Sequence, residues 1–191
     1  MGHIFVSHYH HDHFNAKDTV TYLKSAPQVK LFAPKQAVDK LNTQPEYPKI
    51  ADQIISLSLG INDQTKHVDV NGMQIDMLRV PHAFGDKMKG VENIIYRVTM
   101  ENGLTVMHFG DAETSLDYYK KFKMFFQEKT THHVFLPHIF AINEHDENAI
   151  KETFNANAIT YMHVPISFLS DTMIDKKDFF TKPNDKRIIR K

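Results

Sequence analysis

The sequence contains no cysteine and no tryptophan, and its 23 lysine and arginine residues balance its 23 aspartate and glutamate residues. The missing thiols exclude disulfide bonds and thiolate metal ligands. The zero net charge excludes a global electrostatic field that would attract nucleic acid or an anionic membrane surface. No apolar run in the sequence reaches the length of a membrane span, so we expect a soluble protein.

The length of the chain, 191 residues, is sufficient for one domain with a substantial core. Apolar residues make up 41% of the chain, as in ordinary globular proteins. The sequence shows no internal repeat, low-complexity segment or linker. We therefore predict a single domain over residues 1–191.

A short apolar strand near the start of the chain leads directly into a cluster of imidazole and carboxylate groups. The pattern is His-x-His-x-Asp-His, formed by His8, His10, Asp12 and His13. Side chains two positions apart in an extended segment point the same way, so His8 and His10 can hold one metal ion, while Asp12 and His13, beyond the turn, can serve a second. Imidazole and carboxylate suit a divalent cation such as Zn²⁺. The aspartate inside the run argues against a purification tag.

The order of the predicted elements indicates an α/β fold. After the first strand, Asn15 is a good helix N-cap, a short strand follows, and Pro34 is well placed to open a second helix. This alternation indicates helices outside a sheet. Two hairpins come next, and the first turns at Asn71-Gly72, a type I′ pair. We also predict helices over residues 115–128 and 147–154, and strands over residues 133–136 and 158–162.

Three further candidate ligands, His82, Asp111 and His163, each follow an apolar strand. Groups at the same ends of neighbouring strands converge on one edge of a sheet, which is where ligands bind. Each residue alone has an ordinary explanation, because a histidine after a strand is commonly a surface residue and a Gly-Asp pair is commonly a turn. Their joint occurrence favours a shared site. His138 also follows a strand, and it is either a proton donor at the site rim or a solvent-facing residue.

In this order and spacing, the candidate ligands resemble those of the metallo-β-lactamase fold superfamily. That superfamily carries His-x-His-x-Asp-His after a strand, then a histidine, an aspartate in a Gly-Asp turn, and a last histidine. The resemblance covers nearly the whole chain and implies a four-layer αββα sandwich. The segments at residues 134–137 and 159–163 are most similar to hydrolases related to ascorbate-6-phosphate lactonases and N-acyl phosphatidylethanolamine-type phospholipases.

The resemblance implies a dinuclear centre, with zinc expected and manganese or iron as alternatives. The implied ligands are His8, His10 and His82 for one ion, Asp12, His13 and His163 for the other, and Asp111 for both. Two such ions can share a hydroxide that cleaves an ester, lactone or phosphodiester bond. Asp12 is the candidate catalytic residue, because its free oxygen can orient the hydroxide or take its proton. Di-iron oxidoreductases of this superfamily carry glutamate where His10 stands, which favours zinc hydrolysis here.

Two alternatives remain open. The chain can be a metal-binding protein without competent catalysis, or a nuclease-type phosphodiesterase. The zero net charge and the absence of an evident basic recognition arm argue against the nuclease, so we expect a small-molecule substrate.

The resemblance also implies several strands ahead of the first motif, whereas here the motif begins at His8. Either this sequence begins late or the fold is a shortened version, and in both cases we expect the strand at residues 4–7 to expose an edge and an apolar face. A second copy of the chain is expected to cover that gap. We expect a cytoplasmic location, with any upstream signal peptide outside this sequence.

Overall fold

A computed structural model describes residues 2–61, 65–143, 146–165, 167, 177–182 and 184–190. The first of its two sheets contains three parallel strands, β1 (Ile4–Phe5), β2 (Leu31–Pro34) and β3 (Ile54–Leu57). Helix α1 (Ala16–Ser25) joins β1 to β2, and α2 (Lys35–Asn42) lies between β2 and β3. Parallel neighbours need such crossover connections, because a tight turn can join only antiparallel strands.

The second sheet contains six strands in sequence order. They are β4 (Lys66–Val70), β5 (Met73–Val80), β6 (Asn93–Thr99), β7 (Thr105–His108), β8 (Thr131–Pro137) and β9 (Ala156–Met162). Strands β4 to β7 are antiparallel, whereas β7, β8 and β9 are parallel. The connections between the parallel strands are again helical, with α3 (Leu116–Tyr119) and α4 (Lys123–Gln127) before β8, and α5 (Ile139–Ile142) and α6 (Glu147–Phe154) before β9.

Strand alternation distributes the core into three layers of side chains. In β2, Leu31 and Ala33 belong to the cluster formed with α1 and α2, whereas Phe32 belongs to the cluster between the two sheets. A third cluster packs α3 to α6 against the outer face of the second sheet. The predicted α/β class and αββα sandwich are therefore confirmed. In the described part of the chain, no helix is long and apolar enough to cross a membrane.

Local signals in the sequence account for most element boundaries. The Asn15 side chain accepts a hydrogen bond from the Asp18 amide at 3.1 Å and caps α1, as predicted. The type I′ pair also forms, since Asn71 and Gly72 have φ angles of 49° and 79°. Helix α6 covers residues 147–154 as predicted, and ends where Asn155 adopts a left-handed conformation.

The continuous helix predicted over residues 115–128 is wrong. The segment forms α3, a 3₁₀ turn at Lys120–Phe122, and α4. Adjacent residues Phe125 and Phe126 are both buried, although neighbours in a helix point about 100° apart. Phe125 packs against the fully buried Arg97, whose guanidinium lies 4.1 Å from the centroid of the Phe125 ring and donates to the Phe125 carbonyl. Sequence periodicity does not reveal such a partner on another strand.

Strand β1 lies at the edge of the first sheet and packs against β6 of the second sheet. The Phe5 ring stacks on Phe32 and lies 5.2 Å from the Tyr96 ring. Beside β1, between the two sheets, is a mainly apolar cavity of about 500 Å³ whose lining includes Val106 and Phe135. An edge strand next to an apolar cavity agrees with the exposed edge expected for this part of the chain.

Candidate metal centre

The first motif forms a tight turn directly after β1. His8 is fully buried, and its Nδ1 lies 3.0 Å from the hydroxyl of Ser7. The amides of His13 and Phe14 both donate to the His10 carbonyl, at 3.0 and 2.8 Å. This turn brings the His13 ring within 4.1 Å of the His8 ring, measured between centroids. The turn therefore presents both histidines to one side, while Asp12 stays half-exposed on the outside.

Two loops of the second sheet complete the inner part of the cluster. His82 follows β5 and Asp111 follows β7, and the loops are joined because the Ala83 amide donates to the Asp111 carbonyl at 2.7 Å. The Nδ1 of His82 donates to the Ala83 carbonyl, also at 2.7 Å. That bond directs the other ring nitrogen, Nε2, toward Asp111, at 3.7 Å.

His163 closes the cluster from the end of β9. It has a left-handed backbone, with a φ of 59°, which is uncommon for any residue other than glycine. Its ring stacks on His13 at 5.0 Å, and its Nε2 lies 3.0 Å from the Asp12 carboxylate. The last strand of the sheet is thereby linked to the first motif of the chain.

All seven candidate ligands meet at one place. One oxygen of Asp111, Oδ2, lies 3.4 Å from Nε2 of His13, 3.7 Å from that of His82, 3.8 Å from that of His163 and 3.9 Å from that of His8. The possible metal-holding groups of the described residues are His8 with His10 and His82, His8 with His13 and Asp111, and Asp12 with His13 and His163. Two ligands of one tetrahedral zinc, each about 2.1 Å from the ion, are about 3.4 Å apart. The observed spacing suits ligand atoms around a cation better than direct hydrogen bonds.

Buried polar atoms without hydrogen-bond partners also indicate a cation site. The Nε2 atoms of His8, His13 and His82, and Oδ1 of Asp111, are buried and have no hydrogen-bond partner. An unsatisfied buried polar atom is destabilising by about 1–3 kcal/mol. Four such atoms, all facing one cluster, are what a site preorganised for cations requires.

The electrostatics at two inner residues of the cluster, His8 and Asp111, favour the protonation states of ligands. Burial, and next the charge of nearby His13, lowers the pKa of His8 to about 3. Burial raises the pKa of the Asp111 carboxyl, but its interactions with His13 and the other imidazoles outweigh burial and lower the pKa to about 2. At neutral pH, His8 is therefore neutral and Asp111 is ionised, as metal ligation requires.

Sequence reasoning missed two residues that hold the cluster in place. The Asn93 side chain is fully buried, donates to the Phe109 carbonyl at 2.9 Å, and accepts from the Asp111 amide at 3.1 Å. Gly110 has a φ of 60° and lies so close to Ser7 and Asn93 that a side chain does not fit. The Gly-Asp pair was a signal for a turn, but no local pattern marks Asn93.

The other histidines near the motif lie outside these groups. His11 is exposed, and His108 accepts a hydrogen bond from the Gly110 amide at 3.1 Å. His138 is 9% exposed, and its ring lies 6.3 Å from the His163 ring. The solvent-facing interpretation of His138 is therefore wrong, and a proton-donor role stays a prediction.

An αββα sandwich with a histidine–aspartate cluster at the ends of its strands defines a protein of the metallo-β-lactamase fold. The chain belongs to the beta-lactamase superfamily: the family model described as "Beta-lactamase superfamily domain" matches residues 1–131. A comparison with the curated proteins finds no match. The closer relation to lactonases and phospholipases stays a prediction.

Several solved structures are similar in fold. Unliganded yeast PDE1 has a TM-score of 0.51 and 11% identity, over 85% of this chain and 56% of that chain. A long form RNase Z from yeast has a TM-score of 0.52 and 14% identity, over 84% of this chain and 28% of that chain. A diphosphatase from the PhnP family has a TM-score of 0.51 and 16% identity, over 93% and 68%. The chain spans about half of the PDE1 chain and under a third of the RNase Z chain, and these likenesses show the fold alone.

Proposed function

We propose that this chain, acting as one domain over residues 1–191, is a metal-dependent hydrolase with a dinuclear centre. In this proposal, His8, His10 and His82 would hold one zinc ion, Asp12, His13 and His163 would hold the other, and Asp111 would serve both. Manganese or iron would suit the same ligands less specifically. The observation that carries the proposal is the set of buried, unpartnered nitrogens around Asp111.

Each residue in this arrangement has a separable task. Bound divalent ions supply Lewis acidity and a nucleophile at neutral pH. Ser7 and the Ala83 carbonyl fix the orientation of the His8 and His82 rings through their Nδ1 atoms. Asp12 has a half-exposed carboxylate on the open side of the cluster, where one oxygen can accept the proton of an attacking water.

The proposed substrate is a small ester, lactone or phosphodiester. The names of three structural neighbours, a PDE1, an RNase Z and a diphosphatase, give weight to phosphorus–oxygen bonds among these. A nuclease-type phosphodiesterase is the second candidate function, and the zero net charge argues against it. Metal binding without catalysis is the outcome that a substrate panel would reveal.

The His82→Ala variant is the direct test of the proposal. We expect it to reduce the zinc content of the purified protein from about two ions to about one, because one ion loses a ligand while Asp12, His13 and His163 stay in place. Hydrolysis of an ester and phosphodiester panel should fall below detection, whereas the circular dichroism spectrum should be unchanged.

The matched control is His11→Ala. It removes an exposed imidazole that lies within the same motif but belongs to neither group of ligands. Its zinc content and activity should equal those of the unmodified protein. Unchanged zinc content in His82→Ala would show that His82 is not a ligand.

We also propose that a second copy of the chain covers the cavity beside β1. Met100, at the cavity, is 39% exposed, and an apolar surface of this kind favours association. Light scattering is expected to report a homodimer. A monodisperse monomer that binds no apolar dye would contradict this proposal and leave the metal centre unaffected.

A further inference from the structure

Phe84 combines two features that are unfavourable for a folded chain on its own. It has a left-handed backbone, with a φ of 74°, and its side chain is 64% exposed. A left-handed conformation is uncommon for non-glycine residues and is a genuine outlier for a bulky one. Exposed aromatic residues are individually ordinary, but this ring is held by a strained backbone and gains little burial. Strain of this kind clusters at functional sites.

The position of Phe84 relates that strain to the metal centre. The residue follows His82 and Ala83, and the Ala83 amide is bonded to the Asp111 carbonyl. Among the residues that the structure describes, the aromatic neighbour of the Phe84 ring is His82, at 6.3 Å between centroids and an angle of 40°. The His82 ring in turn lies 4.9 Å from the His10 ring. The backbone of Phe84 is thus fixed to the cluster, and its ring stands at the rim.

We propose that Phe84 is a specificity-determining residue that forms an apolar wall of the substrate site. The inference rests on the proposed hydrolase function and deepens it by naming a substrate class. That class consists of esters or phosphoesters with an aryl or other flat apolar group beside the reacting centre. The Phe84 ring is positioned to contact the apolar group of the substrate while the anionic or carbonyl group of the substrate faces the ligand cluster. Bound substrate would then bury the ring, which explains why a strained and exposed phenylalanine stands at this position.

Two small dianions separate this inference from the function on which it rests. Methylphosphonate and phenylphosphonate share the anionic head and differ in the group on phosphorus. With zinc-loaded protein, calorimetry should show binding of both, with phenylphosphonate tighter by roughly 2- to 10-fold, the range of a single aromatic contact. Phe84→Asn keeps a residue type that tolerates the left-handed backbone and removes the ring. It should bind methylphosphonate unchanged and lose the preference for the phenyl compound, whereas Phe84→Tyr should keep it.

Zinc content and thermal midpoint distinguish a substrate role from a structural one. Phe84→Asn should keep its zinc and melt at the same or a higher temperature, because the substitution relieves strain and removes a side chain that is 64% exposed. Tyr22→Asn is the matched control, since it removes another exposed ring, 52% exposed, from α1, and it should leave the preference intact.

The possible failures have different meanings. If the zinc-loaded wild-type protein binds neither phosphonate but hydrolyses the ester and phosphodiester panel, the inference alone is overturned. If it binds neither phosphonate and hydrolyses no member of the panel, the proposed function fails and the inference fails with it. If methylphosphonate binds and Phe84→Asn retains the full phenyl preference, the role of Phe84 alone is overturned. A lower melting temperature for Phe84→Asn, or a change in its oligomeric state, would also overturn it, by showing that the ring serves stability or a protein contact.

Discussion

The Asp111→Asn variant is expected to lose both metal ions and about 10³-fold or more of the turnover rate, because a metal centre contributes several kcal/mol to a hydrolytic transition state. Among the described residues, Asp111 is the carboxylate that lies within 3.9 Å of four imidazole nitrogens. Asparagine has almost the same shape but no charge, and its amide nitrogen donates hydrogen bonds rather than accepting a cation. Both groups of histidines would then lose their shared anionic ligand.

The backbone around position 111 should survive this change. Its amide donates a hydrogen bond to the Asn93 side-chain oxygen and its carbonyl accepts one from the Ala83 amide, and neither bond involves the carboxylate. Metal analysis and the ester and phosphodiester panel, with circular dichroism as the folding measurement, check the expectation. Asp117→Asn is the control, since Asp117 is an exposed aspartate on α3. An Asp111→Asn protein that retains two zinc ions per chain would contradict the proposed bridging position.

A comparison of the zinc content of His82→Ala and Asp111→Asn tests whether the centre holds one ion or two. The first variant removes a ligand that belongs to one group. The second removes a carboxylate whose Oδ2 lies within 3.9 Å of histidines from both groups. One ion should therefore remain in the first case and none in the second. Equal losses in both variants would indicate a single ion shared by all the histidines rather than two ions.

The convergence of the ligand residues is the part of the site that sequence could predict. His82 follows β5 by two residues, and His163 follows β9 directly. Residues after successive strands arrive at the same edge of a sheet whenever the strands run in the appropriate directions. Fold class followed from the same reasoning, since alternating helices and strands require a layered structure. The role of these residues as ligands stays a prediction.

The parts that could not be predicted depend on contacts between distant segments. Asn93 begins an ordinary buried strand, and only the folded chain shows that its amide group joins the Phe109 carbonyl to the Asp111 amide. The packing of Phe125 in α4 likewise involves a partner from a distant segment, Arg97 of β6. Phe84 lies in a loop whose sequence carries no readable chemistry, and its importance rests on a backbone angle. Local propensity contains no information about such partners.

The Gly110→Ala variant is expected to be less stable than the unmodified protein by about 2–5 kcal/mol, a large fraction of the stability of a typical domain. Two effects add. The left-handed backbone, with a φ of 60°, is unfavourable for alanine by roughly 1–2 kcal/mol. A methyl group at this position would also lie 2.5 Å from Cβ of Ser7 and 2.7 Å from its hydroxyl, and would overlap the Asn93 side-chain oxygen. Overpacking of this kind is destabilising by about 1–3 kcal/mol.

Gly85→Ala separates the two effects, because Gly85 has the same φ of 60° but nothing within 4 Å of an added methyl group. It should lose only about 1–2 kcal/mol in urea unfolding, so the difference between the two variants measures the contact with Ser7 and Asn93. The same contact links stability to metal binding, since Ser7 orients His8 and Asn93 holds Asp111. Gly110→Ala should therefore bind zinc more weakly, whereas Gly85→Ala should bind it normally. Equal stability losses in the two variants would mean that the structure around Gly110 relaxes freely, and that the ligands it separates are not held as rigidly as their geometry indicates.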